Sequence, residues 1–329
     1  MPTAFRMPAV INRDDGQMRR IGFELEFTGL NVDEALVAMQ RVLKAEVEQV
    51  SAAERKLKTA SGSYNLELDW ALLKRTAAEA QQAVDSDEPE PEWIGMVSQA
   101  AALLVPVEVV CPPLPLDKLD ELDALVDVLR RSGAKGTSDS LVAALGVHIN
   151  AELPALDAET ITAYIVAYSL LQWWLVESHA VNIARKISPY VDLYPEVFIR
   201  ELLEASDPDL DWLFEHYLTH NATRNRALDL LPLLSHLDAD RVQAKVPDDR
   251  IKSRPTFHYR LPNCEIENPA WSLASEWNQW WMVEQLAADA EARAELSEAW
   301  LQAYRPLLGV NRKQWVLQVD GWLQQRGWR

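Results

Sequence analysis

Residues 21–30, IGFELEFTGL, alternate strictly. On an extended chain Ile21, Phe23, Leu25 and Phe27 share one side, and Gly22, Glu24, Glu26 and Thr28 share the other. The same one-sided polarity returns four times. SGSYNLELDWALL (61–73) sets Leu66, Leu68 and Trp70 against Glu67 and Asp69, and VPVEVVCPPLP (105–115) carries Glu108 as its single charge. LGVHINAEL (145–153) turns His148 and Asn150 away from Val147 and Ile149. PTFHYRLP (255–262) turns His258 and Arg260 away from Phe257, Tyr259 and Leu261. The pattern predicts five strands.

Between them the period changes to that of helices. NVDEALVAMQRVLKAEV (31–47) places Ala35, Leu36, Met39, Val42 and Leu43 on one face, with Asn31 or Asp33 as the cap. An acidic, Pro-containing loop, DSDEPEPE (85–92), precedes a helix over roughly 92–104. LDKLDELDALVDVLRRSG is amphipathic and closes on Gly133. From Asp157 to about Leu237 the chain reads as mostly helical, including ATRNRALDLLPLLSHL, and Trp-rich helices follow at about 270–288, 291–304 and 311–326. The fold class expected is α+β, a mostly antiparallel sheet packed with a large helical portion.

A half-buried strand ordinarily carries mixed polar residues on a wet face, and each segment alone reads that way. Taken together the five hold Glu24, Glu26, Glu67, Asp69, Glu108, His148, Asn150, His258 and Arg260, with no lysine. Five acids on one sheet face repel one another, and a divalent cation relieves that. Carboxylates i and i+2 on a strand stand roughly 6.5 Å apart, close enough to reach one ion or two neighbouring ions. Hard oxygen donors with few imidazoles suit Mg²⁺ or Mn²⁺, and zinc is disfavoured because neither HExxH nor a cysteine pair is present. An arginine on the last strand adds a guanidinium that can neutralise a phosphoryl group. There is no GxxxxGK[ST] and no Gly-rich kinase loop. ATP use would therefore run through metal ions on a sheet.

Composition removes other classes. The 329 residues carry 32 Lys plus Arg against 50 Asp plus Glu, a formal charge of -18 that disfavours nucleic acid as a partner. Two cysteines, Cys111 and Cys264, suit a reducing compartment, and Cys111 reads as a buried thiol. Without a signal-peptide pattern or an apolar run of about 20 residues, the expected location is cytoplasmic and off the membrane. Trp173, Trp174, Trp280 and Trp281 sit among apolar neighbours and read as core packing.

In order along the chain, GFELEF, LELDW, VEVVCPPL, GVHIN, RNRALDLLPLL and RLPNCEIENPAW resemble the amidoligase family of the carboxylate-amine ligase superfamily, which includes glutamine synthetase and gamma-glutamylcysteine synthetase. The resemblance runs from about residue 19 to 288. It implies a sheet curved into a glutamine synthetase-like half-barrel holding ATP and two or more Mg²⁺ or Mn²⁺ ions. It also implies acyl-phosphate formation on a substrate carboxylate, followed by attack of an amine or ammonia. Carried onto this chain, Glu24, Glu26, Glu108 and His148 match metal ligands, with Glu67, Asp69 and His258 as further candidates. Arg260 matches the arginine that steadies the phosphoryl group, and Arg260 and Glu26 are the expected catalytic pair. Arg185, Arg224, Arg226 and Asn150 are expected to contact ATP or a substrate carboxylate. Relatives commonly carry Glu-x-Arg on the last strand, where this chain has His258-Tyr259-Arg260.

The organisation expected is an N-terminal extension over 1–18, a catalytic domain over 19–290 with a helical insertion at about 157–240, and C-terminal helices over 291–329 packed on it. Expected partners are small-molecule carboxylate and amine substrates, with a glutamine amidotransferase left open as an ammonia source. Two other readings remain: a metal-dependent hydrolase on the same acidic sheet, and a non-catalytic relative that keeps the fold.

Overall fold

The computed structural model describes residues 3–68, 106–137, 145–181 and 191–329. Asp69, Arg185, the loop at 85–92 and the helix expected over 92–104 lie outside them. Among the described residues the chain forms an α+β fold around an open sheet of nine strands in the order β2-β3-β4-β5-β1-β7-β9-β8, with β6 also paired to β1. The strands are β1 (Arg20–Phe27), β2 (Glu46–Gln49), β3 (Glu54–Thr59), β4 (Gly62–Leu68), β5 (Val107–Val110), β6 (Leu114–Pro115), β7 (Val147–Ala151), β8 (Leu228–Asp229) and β9 (His258–Tyr259). Each strand pairing is antiparallel.

The apolar sides of the alternating segments form one continuous buried face. Ile21, Phe23, Leu25, Leu66, Val109, Ile149 and Tyr259 are all sealed from solvent. Helices α1 (Val32–Met39) and α2 (Glu121–Ser132) pack against each other, and α1 lies against β3 and β4. α3 (Ala158–Ser178) and α8 (Leu273–Ala288) cover the β9 end, where Trp280 meets Phe257 and Tyr259. α4 (Glu196–Glu204), α9 (Ala290–Ala303) and α10 (Arg312–Gln325) pack around α3. α5 (Leu210–His220), α6 (Leu231–Leu237) and α7 (Ala239–Lys245) complete the helical layer. No helix among the described residues is long and apolar enough to cross a membrane.

Local sequence explains most element ends. At α1 it is Asn31 that caps: its side chain accepts from Glu34 N at 2.9 Å while Glu34 returns a carboxylate to Asn31 N. On α2, Leu122, Leu125, Val126 and Leu129 fall on one buried stripe. Gly29, between β1 and α1, has φ +83°, and a Cβ there would lie 2.4 Å from the Gly133 carbonyl oxygen. Gly29→Ala is therefore expected to destabilise the chain by more than about 1 kcal/mol, readable as a lowered urea midpoint; an unchanged midpoint would refute the strain.

Two expectations fail. Helix 31–47 stops at Met39, and Glu46–Gln49 becomes β2, paired with β3. Helical periodicity reached through Val42, which is in fact exposed. The β2–β3–β4 meander wins because long-range pairing pins it: the buried Arg55 of β3 bonds to Asp33 of α1 at 2.8 Å. The second failure is RNRALDLL, which was read as helical. Leu228 and Asp229 instead pair with β9, and the helix starts only at Leu231, where Pro232 suits its first turn.

Candidate metal and phosphate site

The polar sides of the same strands make the opposite face, and register decides who meets whom. Glu26 of β1 lies directly across from Glu108 of β5, Glu108 from Glu67 of β4, and Glu67 from Glu54 of β3. One step along β1, Glu24 lies across from His148, and a further step puts Gly22 across from Asn150. His258 pairs with Asp229 of β8. This is not an ordinary wet face: His148 and Asn150 are each 8% exposed, His258 4% and Asp229 1%. The face also runs onto β3, which adds Lys56 and Lys58 to a set expected to hold no lysine.

Hydrogen bonds tie these side chains into one network. Asn150 Nδ2 donates to Glu24 Oε1 at 2.9 Å, which turns Asn150 Oδ1 toward Arg254 Nη2 at 2.8 Å and His258 Nδ1 at 2.7 Å. Asn150 Oδ1 only accepts and the Arg254 guanidinium only donates, so His258 Nδ1 stands between an acceptor and a donor. Arg254 Nη2 lies 2.8 Å from that nitrogen, which closes a triangle of imidazole, amide and guanidinium. Burial and then Arg260 hold the His258 imidazole well below its usual range, so it is neutral at pH 7. Burial pushes the Glu24 carboxyl up, but His258, His148 and Arg254 outweigh it and hold Glu24 well below the usual carboxylate range.

Glu24 is thus ionised and only accepts, so His148 Nδ1, 2.9 Å from Glu24 Oε2, is the donor. In the neutral imidazole the other nitrogen, Nε2, then bears a lone pair. It stands 3.7 Å from Glu26 Oε1, too far for a hydrogen bond and within the span of two ligands on one ion with bonds of about 2.1 Å. Gly146 N donates to Glu26 Oε2 at 2.7 Å, which aims Oε1 at the imidazole. Glu26, Glu108 and His148 bring a ligand atom each within 4.8 Å of one another. Two carboxylates and one oriented imidazole fit a hard divalent ion, with Glu24 fixing the imidazole tautomer from behind. Glu24, His148 and His258 form a second close group. There the nitrogens nearest Glu24 are the two Nδ1 atoms, that of His148 donating to Glu24 Oε2, and Arg254 Nη2 stands 3.7 Å from Glu24 Oε1.

Arginines gather beside the acids. Arg260 Nη2 lies 3.5 Å from Asp229 Oδ2, and Arg224 Nη1 lies 3.9 Å from Asp248 Oδ2. Burial, then the charge of Arg260, lower the Arg224 pKa. Arg226 is occupied differently, donating to the carbonyls of Leu193 and His220 at 2.8 Å each, so it ties the helical layer together. Sequence reasoning missed Arg254 and Asp229. The only hint of Asp229 was a lone acid in LDLLPLL; Arg254, just before Pro255, gave none.

Asp229 Oδ1 also accepts from Leu231 N at 2.9 Å, starting α6. Burial pushes its carboxyl up to about 6, with Arg260 pulling the other way. The folded chain thus prefers the protonated acid. Its stabilising contribution is full below about pH 4 and is lost as pH rises through about 6, a change on the order of 3 kcal/mol. Asp229→Asn should flatten that part of the stability profile in urea titrations; an unchanged slope would refute the assignment.

A family model described as "Putative amidoligase enzyme" matches residues 17–282. The chain belongs to this amidoligase family. Curated proteins and solved structures give no match. The family match takes in every strand described above and the residues of both close groups, together with Arg224, Arg254 and Arg260; α9 and α10 lie beyond it. It assigns the chain to an enzyme family of the ligase kind.

Proposed function

We propose that this amidoligase joins a carboxylate to an amine at the expense of ATP, with Mg²⁺ or Mn²⁺, on small amino-acid or peptide-like substrates. The observation that carries the reading is the shared face: Glu26, Glu108 and His148 Nε2 at one end, Arg260 and Arg254 at the other. When bound, the ion supplies positive charge to phosphate oxygens. Glu26 and Glu108 hold it, and Glu24 keeps His148 in the tautomer that offers Nε2. Arg260, steadied by Asp229, stabilises the charge on the γ-phosphoryl group as it passes from ATP to the substrate carboxylate, giving an acyl phosphate and ADP. The amine then displaces phosphate and forms the amide. Arg224 would add a second guanidinium to grip a carboxylate or phosphate. A half-barrel like that of glutamine synthetase is the architecture this reading expects, and ammonia delivered by a glutaminase partner is one source of the amine.

The test supplies ATP, Mg²⁺ and a panel of amino acids and peptides and follows phosphate release. Release that needs both an acid and an amine supports the ligase. Release that is equal in Glu26→Gln sinks it, and turnover without ATP points to hydrolysis instead.

A further inference from the structure

The resemblance leads to an expectation of two or more divalent ions, and the side chains offer two close groups that share His148. One neutral imidazole cannot serve both. Its Nδ1–H is held by Glu24 at 2.9 Å, and only Nε2, toward Glu26, has a lone pair to give. His148 Nε2 has no hydrogen-bond partner among the described residues. At the other group, an ion beside Glu24 would have to take the place of the proton on His148 Nδ1, or displace Arg254 and Asn150, which lie 2.8 and 2.7 Å from His258 Nδ1. It would also break the bonds that Asn150 makes to Glu24 and His258. A cation already stands there: Arg254 Nη2 is 3.7 Å from Glu24 Oε1 and 2.8 Å from Asn150 Oδ1. The last strand contributes His258 in place of the acid that relatives commonly carry, so the negative charge available for a second ion is lower as well.

We propose that Arg254 is a built-in second cation. On this view, which rests on the metal assignment above, the chain takes one divalent ion, at Glu26, Glu108 and His148 Nε2, and the guanidinium of Arg254 neutralises Glu24 in place of another. Arg254 commits only Nη2 to its neighbours; its buried Nε has no hydrogen-bond acceptor among the described residues. A guanidinium carries five donors in a fixed fork. The same side chain can therefore meet Glu24 with one arm and present the rest to a substrate anion, as an ion coordinated by Glu24 would.

Mn²⁺ titration of the nucleotide-free chain, read by calorimetry and by the electron paramagnetic resonance signal of free Mn²⁺, tests this. The wild type should bind one ion per chain. Arg254→Gln combined with His258→Glu should bind two, because the fixed cation is gone and an acid stands on β9. Arg254→Lys, which keeps the charge, should stay at one, and thermal melts of all three confirm that each is folded. Two ions in the wild type, or one in the folded double variant, would overturn the role of Arg254 and leave the ion at Glu26 standing. No ion in the wild type would overturn both.

Discussion

Glu26→Gln should lose divalent-ion affinity by more than about 100-fold, the upper end of what loss of a merely supporting partner costs, and ATP-dependent phosphate release should fall with it. Glu26 is singled out because both of its oxygens are assigned. Oε2 is fixed by Gly146 N and Oε1 is turned toward the His148 lone pair, across from Glu108. Glutamine keeps an acceptor for Gly146, so the backbone bond survives while the charge is lost. Stability should not suffer. Glu26 stands in a row with Glu108, Glu67 and Glu54, and directly opposed like charges destabilise a sheet by roughly 0.2–1 kcal/mol per pair. In the metal-free state the variant should therefore melt at the wild-type temperature or slightly above it, while Mn²⁺ should raise the melting point of the wild type alone. Equal stabilisation of both by Mn²⁺ would move the ion away from Glu26.

The largest effect on stability is expected far from that face, at Glu284→Gln. Arg19, just ahead of β1, and Glu284 on α8 form a two-pronged ion pair, with both contacts at 2.8 Å and side chains 0% and 1% exposed. The pair is fully hydrogen-bonded. Arg19 also donates to the carbonyls of Glu152 and Val10, and Glu284 also accepts from Tyr164 Oη and Trp280 Nε1. Removing one charge leaves the other buried and uncompensated, at a cost of roughly 3–5 kcal/mol. Arg19→Met with Glu284→Leu removes both charges and should cost clearly less than the single change. Urea unfolding of the two variants decides it; a single variant within about 1 kcal/mol of wild type would show that water reaches the pair.

How far the site could be read in advance depended on the range of the interactions involved. Side-chain alternation is a property of consecutive residues, so Glu24 with Glu26, His148 with Asn150, and His258 with Arg260 were legible as face-sharing pairs, and the order of their segments carried the family. The capping of α1 by Asn31 and the closure of α2 at Gly133 were local too. What misled was likewise local. Helical spacing through Val42 outweighed the weak alternation of EVEQ, whose strand exists because β3 pairs with it, and RNRALDLL gave no local sign that Leu228 and Asp229 belong at the sheet edge. The sequence by itself determined the polarity of each strand, the acidic character of one sheet face and membership of the amidoligase family. Only the tertiary structure decided register, and with it that Glu108 meets Glu26 while His148 meets Glu24. It also brought in Arg254, 104 residues from Asn150 along the chain, to stand beside Glu24. Contacts across a sheet are set by the cooperative packing of the whole apolar face, which no short window of residues contains.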